Sequence, residues 1–486
     1  MDNTRTSKVS INYFLNLVYQ VLAICLPIIT TPYISRVLGV ENIGVYSYTT
    51  SIVTYFSLAA VLGSSTFGQR EISYNRDNMY KRSVVFWEIV FLRIATTALC
   101  LVMYLFFLFT FGGNLKEIYL VQSIVILSVI FDIGWFFSGI ENFKILVLRN
   151  TLIKLLGIVF IFLAVKDEND LILYITGILG INFLGFLSLW TTLKKYICKV
   201  PLKEIHPFKN FRAVFNLFIP TIAIQVYTLL DKTMIGVITQ ESAQNGYYEQ
   251  AEKIVKLLLT IITSMGTVMA PKISYLYSNK FNKEINTYLL KSFNFVFFLS
   301  VPMCFGLIIT AEQFVPWFFG SGYDGIIPLM KIFSVLLIAI GMSNVSGTQY
   351  LISVGREKDY TKSVVAGASV NLVLNSALIY KFGAIGAAIA SVISEICVSS
   401  TQLWLIRKDI SVIGLLTNIK NYIIAGFAMF IACYGLKLLT ENTALGFALT
   451  ILVGIIVYAS VLMIVRDKFI IELKTTVFSK LKKVIR

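Results

Sequence analysis

The chain has 486 residues, 57% of them hydrophobic and only 14% charged, with a formal net charge of +16. Such a composition excludes an ordinary soluble protein, which at this length divides into two or three cores joined by polar linkers, and it excludes a disordered chain. It fits a polytopic membrane protein, because apolar runs of about 20 residues, enough for a helix to cross a hydrocarbon core of about 30 Å, recur from end to end.

Fourteen such runs are expected to be spans. They centre near Ile24, Val53, Leu101, Leu127, Phe160, Ile181, Ile224, Ile261, Phe298, Leu337, Val373, Ile393, Ala428 and Val453. The first is too long, and lacks a small-residue cleavage site, for a removable signal, so it is expected to remain as a span. Connecting segments alternate in charge. Arg5 and Lys8, Arg70 to Arg82, Lys144 to Lys154, Lys194 to Arg212, Lys272 to Lys291, Arg356 to Lys362, Arg407 to Lys420, and the tail from Arg466 hold most of the 42 Lys and Arg. The positive-inside rule then places both termini in the cytoplasm and makes the number of spans even. The net positive charge is this topological signal plus attraction to anionic headgroups, and nucleic acid is not an expected partner.

Site chemistry of the enzymatic kind is sparse. Cys25, Cys100, Cys304, Cys397 and Cys433 sit in spans, Cys198 sits in a loop, and none has metal or redox spacing. The single histidine, His206, reads as a solvated loop residue beside Pro207, and no phosphate-cradling glycine loop is present. No metal or cofactor is expected. External loops are short, the longest lying near "TAEQFVPWFFGSGYDG", so a gradient-driven transporter fits better than an enzyme.

The pattern restarts after the basic connector "LKKYICKVPLKEIHPFKNFR". "FLNLVYQVLAICLPIITTPYISRVLGVENIGVY" matches "VFNLFIPTIAIQVYTLLDKTMIGVITQESAQNGYY" in spacing, with Asn16 on Asn216 and Gly44-Val45-Tyr46 on Gly246-Tyr247-Tyr248. The expected organisation is a six-helix bundle over residues 1–200, a second over 201–410, and two extra helices with a basic tail over 411–486. The two bundles would flank a central cleft.

The stretches "PYISRVLGVENIGVYSY", "FDIGWFFSGIENFK" and "NLVLNSALIYKFGAIGAAIASVISE" resemble polysaccharide-biosynthesis flippases of the Wzx type. Their superfamily also holds multidrug exporters and the lipid II flippase. The resemblance covers essentially the whole chain. It implies movement of an undecaprenyl-pyrophosphate-linked oligosaccharide from the cytoplasmic to the outer leaflet of a bacterial inner membrane. A polysaccharide polymerase is a further expected partner. The alternatives are a cation-coupled multidrug exporter and, disfavoured by the short outer loops, a polymerase or ligase.

Intramembrane charges are functional hypotheses by default, because each costs several kcal/mol unless it faces a cavity or finds partners. Asp231 and Lys232 are adjacent, hence about 100° apart on a helix, and cannot readily neutralise each other. Lys232 with Arg36 is expected to bind the anionic pyrophosphate. Lys253, Lys256 and Arg93 are further substrate-binding candidates, although Glu249 with Lys253 and Glu252 with Lys256 also form helix-stabilising (i, i+4) pairs, and Arg93 can pair with Glu88 or Asp132. Asp231, Asp132 and Glu395 are candidates for a coupling H⁺ or Na⁺. Lys331 is expected to snorkel outward. The small residues Gly383, Ala387 and Ser391, with Gly386, Ala390 and Ser394, read as close helix packing, and Asn371 and Asn375 as hydrogen bonds between helices.

Overall fold

The structure is a computed structural model. It describes the backbone of residues 2–439, 443–467 and 469–471, but not the side chains of 2–24, 219–221, 223, 224, 226, 227 and 413. The side chains of Arg5, Lys8 and Asn16, the loop at Asn442 and the tail beyond 471 thus lie outside the described residues.

Among the described residues the chain is α-helical, with no strand. The helices are α1 (Asp2–Val61), α2 (Ser64–Tyr74), α3 (Met79–Phe111), α4 (Lys116–Phe131), α5 (Gly134–Gly139), α6 (Phe143–Ala164), α7 (Leu171–Leu193), α8 (Phe211–Thr239) and α9 (Ser242–Ser278). They continue with α10 (Asn282–Phe319), α11 (Ile326–Phe333), α12 (Leu336–Ser343), α13 (Glu357–Phe382), α14 (Ala384–Ile406), α15 (Val412–Leu416), α16 (Ile419–Leu439) and α17 (Ala444–Ile464). Twelve helical segments among the described residues are long and apolar enough to cross a membrane. The first of them, Cys25–Tyr74, contains the break at Gly39, where φ is 75° and the helix is interrupted. Large apolar side chains such as Leu99, Val102, Phe106, Ile423, Phe427, Ile431, Leu452 and Ile455 point outward in ridges along these helices. That inverted surface belongs in lipid, and the protein is a multi-pass membrane protein.

The chain divides into two compact units, Met1–Thr233 and Met234–Arg486. In the first, α1 packs on α3, α4 and α6, and α4 and α6 pack on α7. An aromatic core of Phe86, Trp135, Phe136 and Phe137 fills the end where α2, α3 and α5 meet. In the second, α13 lies along α14, and α16 with α17 packs on α10. The small-residue expectation holds here: Ala387, Ala390 and Ser394 are fully buried, and a Cβ on Gly386 would stand 2.2 Å from the Leu378 carbonyl oxygen.

Several local expectations are corrected. Lys154 is no connector residue, because α6 already starts at Phe143 and carries Lys154 at its middle. The outer loop around Gly320 is short, because α10 continues through Pro316 to Phe319. Asn375 Nδ2 donates to Asn371 Oδ1 at 2.9 Å, a bond along one helix. Lys331 does not simply snorkel: its ammonium lies 2.5 Å from Glu312 Oε1, and Lys437 binds the other oxygen of that carboxylate. This triad joins α10, α11 and α16. The nine-residue π-helical turn Asn344–Ile352 was not foreseen. It places Ser346 on Gln402 at 2.8 Å, and Gln402 reaches Ser363 at 3.1 Å, so three helical segments share one buried polar chain.

Candidate functional site

The sequence "YSYTTSIVTYF" puts eight hydroxyls into one stretch of a span, a signal the intramembrane-charge argument overlooked. Several of these hydroxyls close back onto their own helix. Thr49 Oγ1 donates to the Val45 carbonyl at 2.8 Å and Thr54 Oγ1 to that of Thr50, which makes them tolerable in an apolar setting. Ser51 and Tyr55 do more. Thr233 of α8 lies 2.9 Å from Ser51 Oγ and 3.1 Å from the Tyr55 hydroxyl, so its hydroxyl is held between two hydroxyls of α1. On the neighbouring helix Gln122 Nε2 donates to Thr49 and Thr50 at 3.0 and 3.1 Å. Asp231 and Lys232 therefore sit at the edge of a hydroxyl-lined seam in the first unit. Asp231 is buried and Lys232 half-buried.

Arg36 lies at a different depth. Tyr33 donates to the Val165 carbonyl at 2.7 Å and Asn42 to that of Glu168 at 2.8 Å, which ties the stretch around Arg36 to the α6–α7 loop. Arg36 is exposed there. Ser51, opposite Thr233, is 12 residues past Gly39 in α1, about 18 Å along a helix. Arg36 and Lys232 are thus one cation at the loop end and one beside the hydroxyl seam, rather than a single clamp.

Arg93 is a correction. It is 1% exposed, and its guanidinium donates to Ser64 Oγ at 2.8 Å, to Ser65 Oγ at 2.7 Å, and to the carbonyls of Val129 and Asp132 at 3.1 and 2.5 Å. The Trp135 ring lies 5.5 Å from it. A guanidinium so enclosed locks α2, α3 and the end of α4 together and offers nothing to a substrate. Its expected partner Glu88 instead accepts the His206 amide at 3.3 Å, pinning the connector to α3. Asp132 is the residue at which α4 ends. Its carboxylate accepts the Gly134 amide at 3.0 Å, so it shapes the turn into α5.

In the second unit Lys256 is exposed and paired with Glu252 at 2.7 Å, one helical turn away, which is the helix-stabilising reading. Lys253 and Glu395 are half-buried. No group of three or more His, Cys, Asp or Glu that could hold a metal occurs among the described residues.

A cavity of about 310 Å³ lies among α1, α6 and α7 of the first unit, walled by Pro27, Thr30, Gly157 and Ile178, with Lys154 and Asn182 on its surface. Lys154 is 11 residues from Phe143 and 10 from Ala164, and Asn182 is 11 from both Leu171 and Leu193, so each stands at mid-helix.

These features define a multi-pass membrane protein with cations and hydroxyls inside its long apolar helices. The chain belongs to the polysaccharide biosynthesis protein family, whose model matches residues 10–277. It is 26% identical over 392 residues to a protein of Escherichia coli (strain K12) named "Putative O-antigen transporter", covering 79% of this chain and 93% of that one. The solved structure titled "Lipid II flippase MurJ, inward closed conformation" superposes with a TM-score of 0.77 at 18% identity, over 93% of this chain and 99% of that one. An inward-facing multidrug resistance MATE family transporter of the MOP superfamily follows with a TM-score of 0.61 at 13% identity, over 82% of this chain and 95% of that one. The Wzx-type family expected from the sequence motifs is therefore the right one. The expectation of a transporter rather than an enzyme agrees with what these relatives are named.

Proposed function

We propose that this protein is a flippase that carries undecaprenyl-pyrophosphate-linked oligosaccharide repeat units across a bacterial cytoplasmic membrane, by alternating access, for capsule, O-antigen or exopolysaccharide synthesis. The observation that carries the reading is membership of a polysaccharide-biosynthesis family by a chain with cations within its long apolar helices. A pyrophosphate and its sugars cannot cross hydrocarbon unaided, and positive charge in a hydroxyl-lined setting lowers that barrier while the polyprenyl tail stays in lipid. The name of the E. coli relative and the likeness in fold to a lipid II flippase support the same reading.

Within the first unit, Arg36 at the loop end and Lys232 in the span are the proposed successive contacts for the pyrophosphate. Lys253 is a secondary contact in the second unit. Asp231 is the proposed coupling group for H⁺ or Na⁺, since Asp132 shapes a turn, and Glu395 is the reserve candidate. Both termini are proposed to lie in the cytoplasm, with fourteen spans in all, and a polysaccharide polymerase is the proposed partner.

The test is transfer of a labelled lipid-linked oligosaccharide in proteoliposomes, with each variant checked for equal insertion. Lys232→Ala is expected to impair transfer strongly and Lys232→Arg to retain part of it, because charge survives. Asp231→Asn is expected to uncouple transfer from an imposed H⁺ or Na⁺ gradient. Normal transfer by well-inserted Lys232→Ala and Arg36→Ala would rule out the cationic path.

A further inference from the structure

Two ammoniums and one carboxylate meet where α10, α11 and α16 converge in the second unit. Lys331 Nζ lies 2.5 Å from Glu312 Oε1, and Lys437 binds Oε2 of the same group. One carboxylate neutralises one ammonium, so the cluster keeps a net positive charge. Each lysine stands in the last turn of its helix, beside carbonyls that favour a cation. An ammonium has three donors, and a single carboxylate oxygen occupies one of them. The side chains of Lys331, Lys437 and Glu312 are 35, 18 and 40% exposed, so an anion can reach the cluster without the helices parting.

The depth of the cluster narrows the choice of anion. Glu312 stands 30 residues past Asn282, about 45 Å along α10 from the basic turn at Lys280 and Lys283. That exceeds a hydrocarbon core of about 30 Å, so the cluster lies at the face opposite that turn, where the positive-inside pattern asks for no cations. Trp317, half exposed and stacked on Phe447, follows five residues further along α10, at the level interfacial tryptophans take. Leu438 and Leu445 are largely exposed near the same ends of α16 and α17. Fixed positive charge beside bare apolar side chains fits a molecule with an anionic head and a hydrocarbon body, whereas a small inorganic anion would use the charge alone.

We propose that the Glu312, Lys331 and Lys437 cluster docks an anionic bilayer phospholipid from the leaflet facing away from the basic connectors. Its phosphodiester accepts from both ammoniums, and its acyl chains lie against Leu438 and Leu445. This site stands apart from the proposed transport and holds whether or not the protein is a flippase.

Photolabelling of the purified full-length protein in phosphatidylcholine nanodiscs tests it. The probes are phosphatidylglycerol with a diazirine close to its headgroup and, in parallel, phosphatidylcholine carrying the same group. Peptides holding Lys331 and Lys437 are expected to take up about 5-fold more of the phosphatidylglycerol probe, the effect of about one net charge at headgroup level. Lys437→Gln leaves a neutral pair and should bring the ratio near one, and Lys331→Gln should do the same. Glu312→Gln releases the second charge and should raise the ratio by about a further 5-fold. A purely structural triad gives the opposite, because losing its carboxylate loosens the helices and exposes them to both probes alike. Unfolding temperatures show which variants are folded, and the two lysine variants serve in place of each other if one is not. Equal labelling of the native protein by the two probes, a preference retained in the folded lysine variants, or no rise in Glu312→Gln overturns the proposal. Loss of the preference to inorganic phosphate, at an ionic strength where sodium chloride leaves it intact, assigns the cluster to a free anion and overturns the lipid reading.

Discussion

Thr233 and Ser51 hold each other by their hydroxyls, 2.9 Å apart, directly beside the Asp231-Lys232 pair. Ser51 is 1% exposed, so this bond forms away from competing water and fixes how α8 presents its two charges to α1. A double-mutant cycle with Ser51→Ala and Thr233→Val is expected to return a coupling of about 0.5 to 1 kcal/mol in unfolding experiments in detergent. Additive effects would show that the contact does not stabilise the seam.

Arg93 should behave as a structural residue. Removing it leaves buried hydroxyls and carbonyls without their donor, and Arg93→Met is expected to cost about 3 to 5 kcal/mol. Arg93→Lys should rescue little, because one ammonium cannot span Ser64, Ser65 and two carbonyls at once. The measurement is the amount of folded protein recovered from membranes. Full recovery of either variant with a specific loss of transfer would return Arg93 to the substrate path.

Gly386→Ala is expected to disrupt the α13–α14 contact. Its new Cβ meets the Leu378 backbone at 2.2 Å, and backbone cannot swing aside as a side chain can. Gly306→Ala is the matched control, since nothing lies within 4 Å of its Cβ. A fall in unfolding temperature for the first and not the second is the expected outcome.

The Glu312 triad gives an asymmetric expectation. Glu312→Gln leaves Lys331 and Lys437 facing each other without the carboxylate between them, whereas Lys331→Ala leaves one intact pair. Glu312→Gln should therefore destabilise by more than Lys331→Ala, each by about 1 kcal/mol or less because the group is partly exposed. Thermal unfolding in detergent ranks them, and transfer by Lys331→Ala should stay near normal.

Topology is checked with accessibility tags. A tag at Lys203 should be cytoplasmic, and tags at Asn114 and Glu168 external. Detection of Lys203 and Glu168 on the same face would end the even-span topology.

The sequence by itself determined that this chain is a bundle of membrane helices, because apolar runs of span length leave the backbone no other way to satisfy its polar groups in lipid. Its motifs also indicated the family. Close packing through Gly386, Ala387 and Ala390 was legible as well, since small residues at four-residue spacing can do little else in a span. What each charge does was decided only by the fold. Arg93 and Lys256 both read as substrate-binding cations in sequence, yet α2 and the end of α4 close over one while the other pairs with Glu252 on its own helix. Lys331 met Glu312 and Lys437 from helices distant in sequence, and Thr233 found Ser51 across 182 positions. Periodicity along one helix carries no information about which neighbour's hydroxyl or carboxylate stands opposite, and that neighbour fixes whether a buried charge is structural or available.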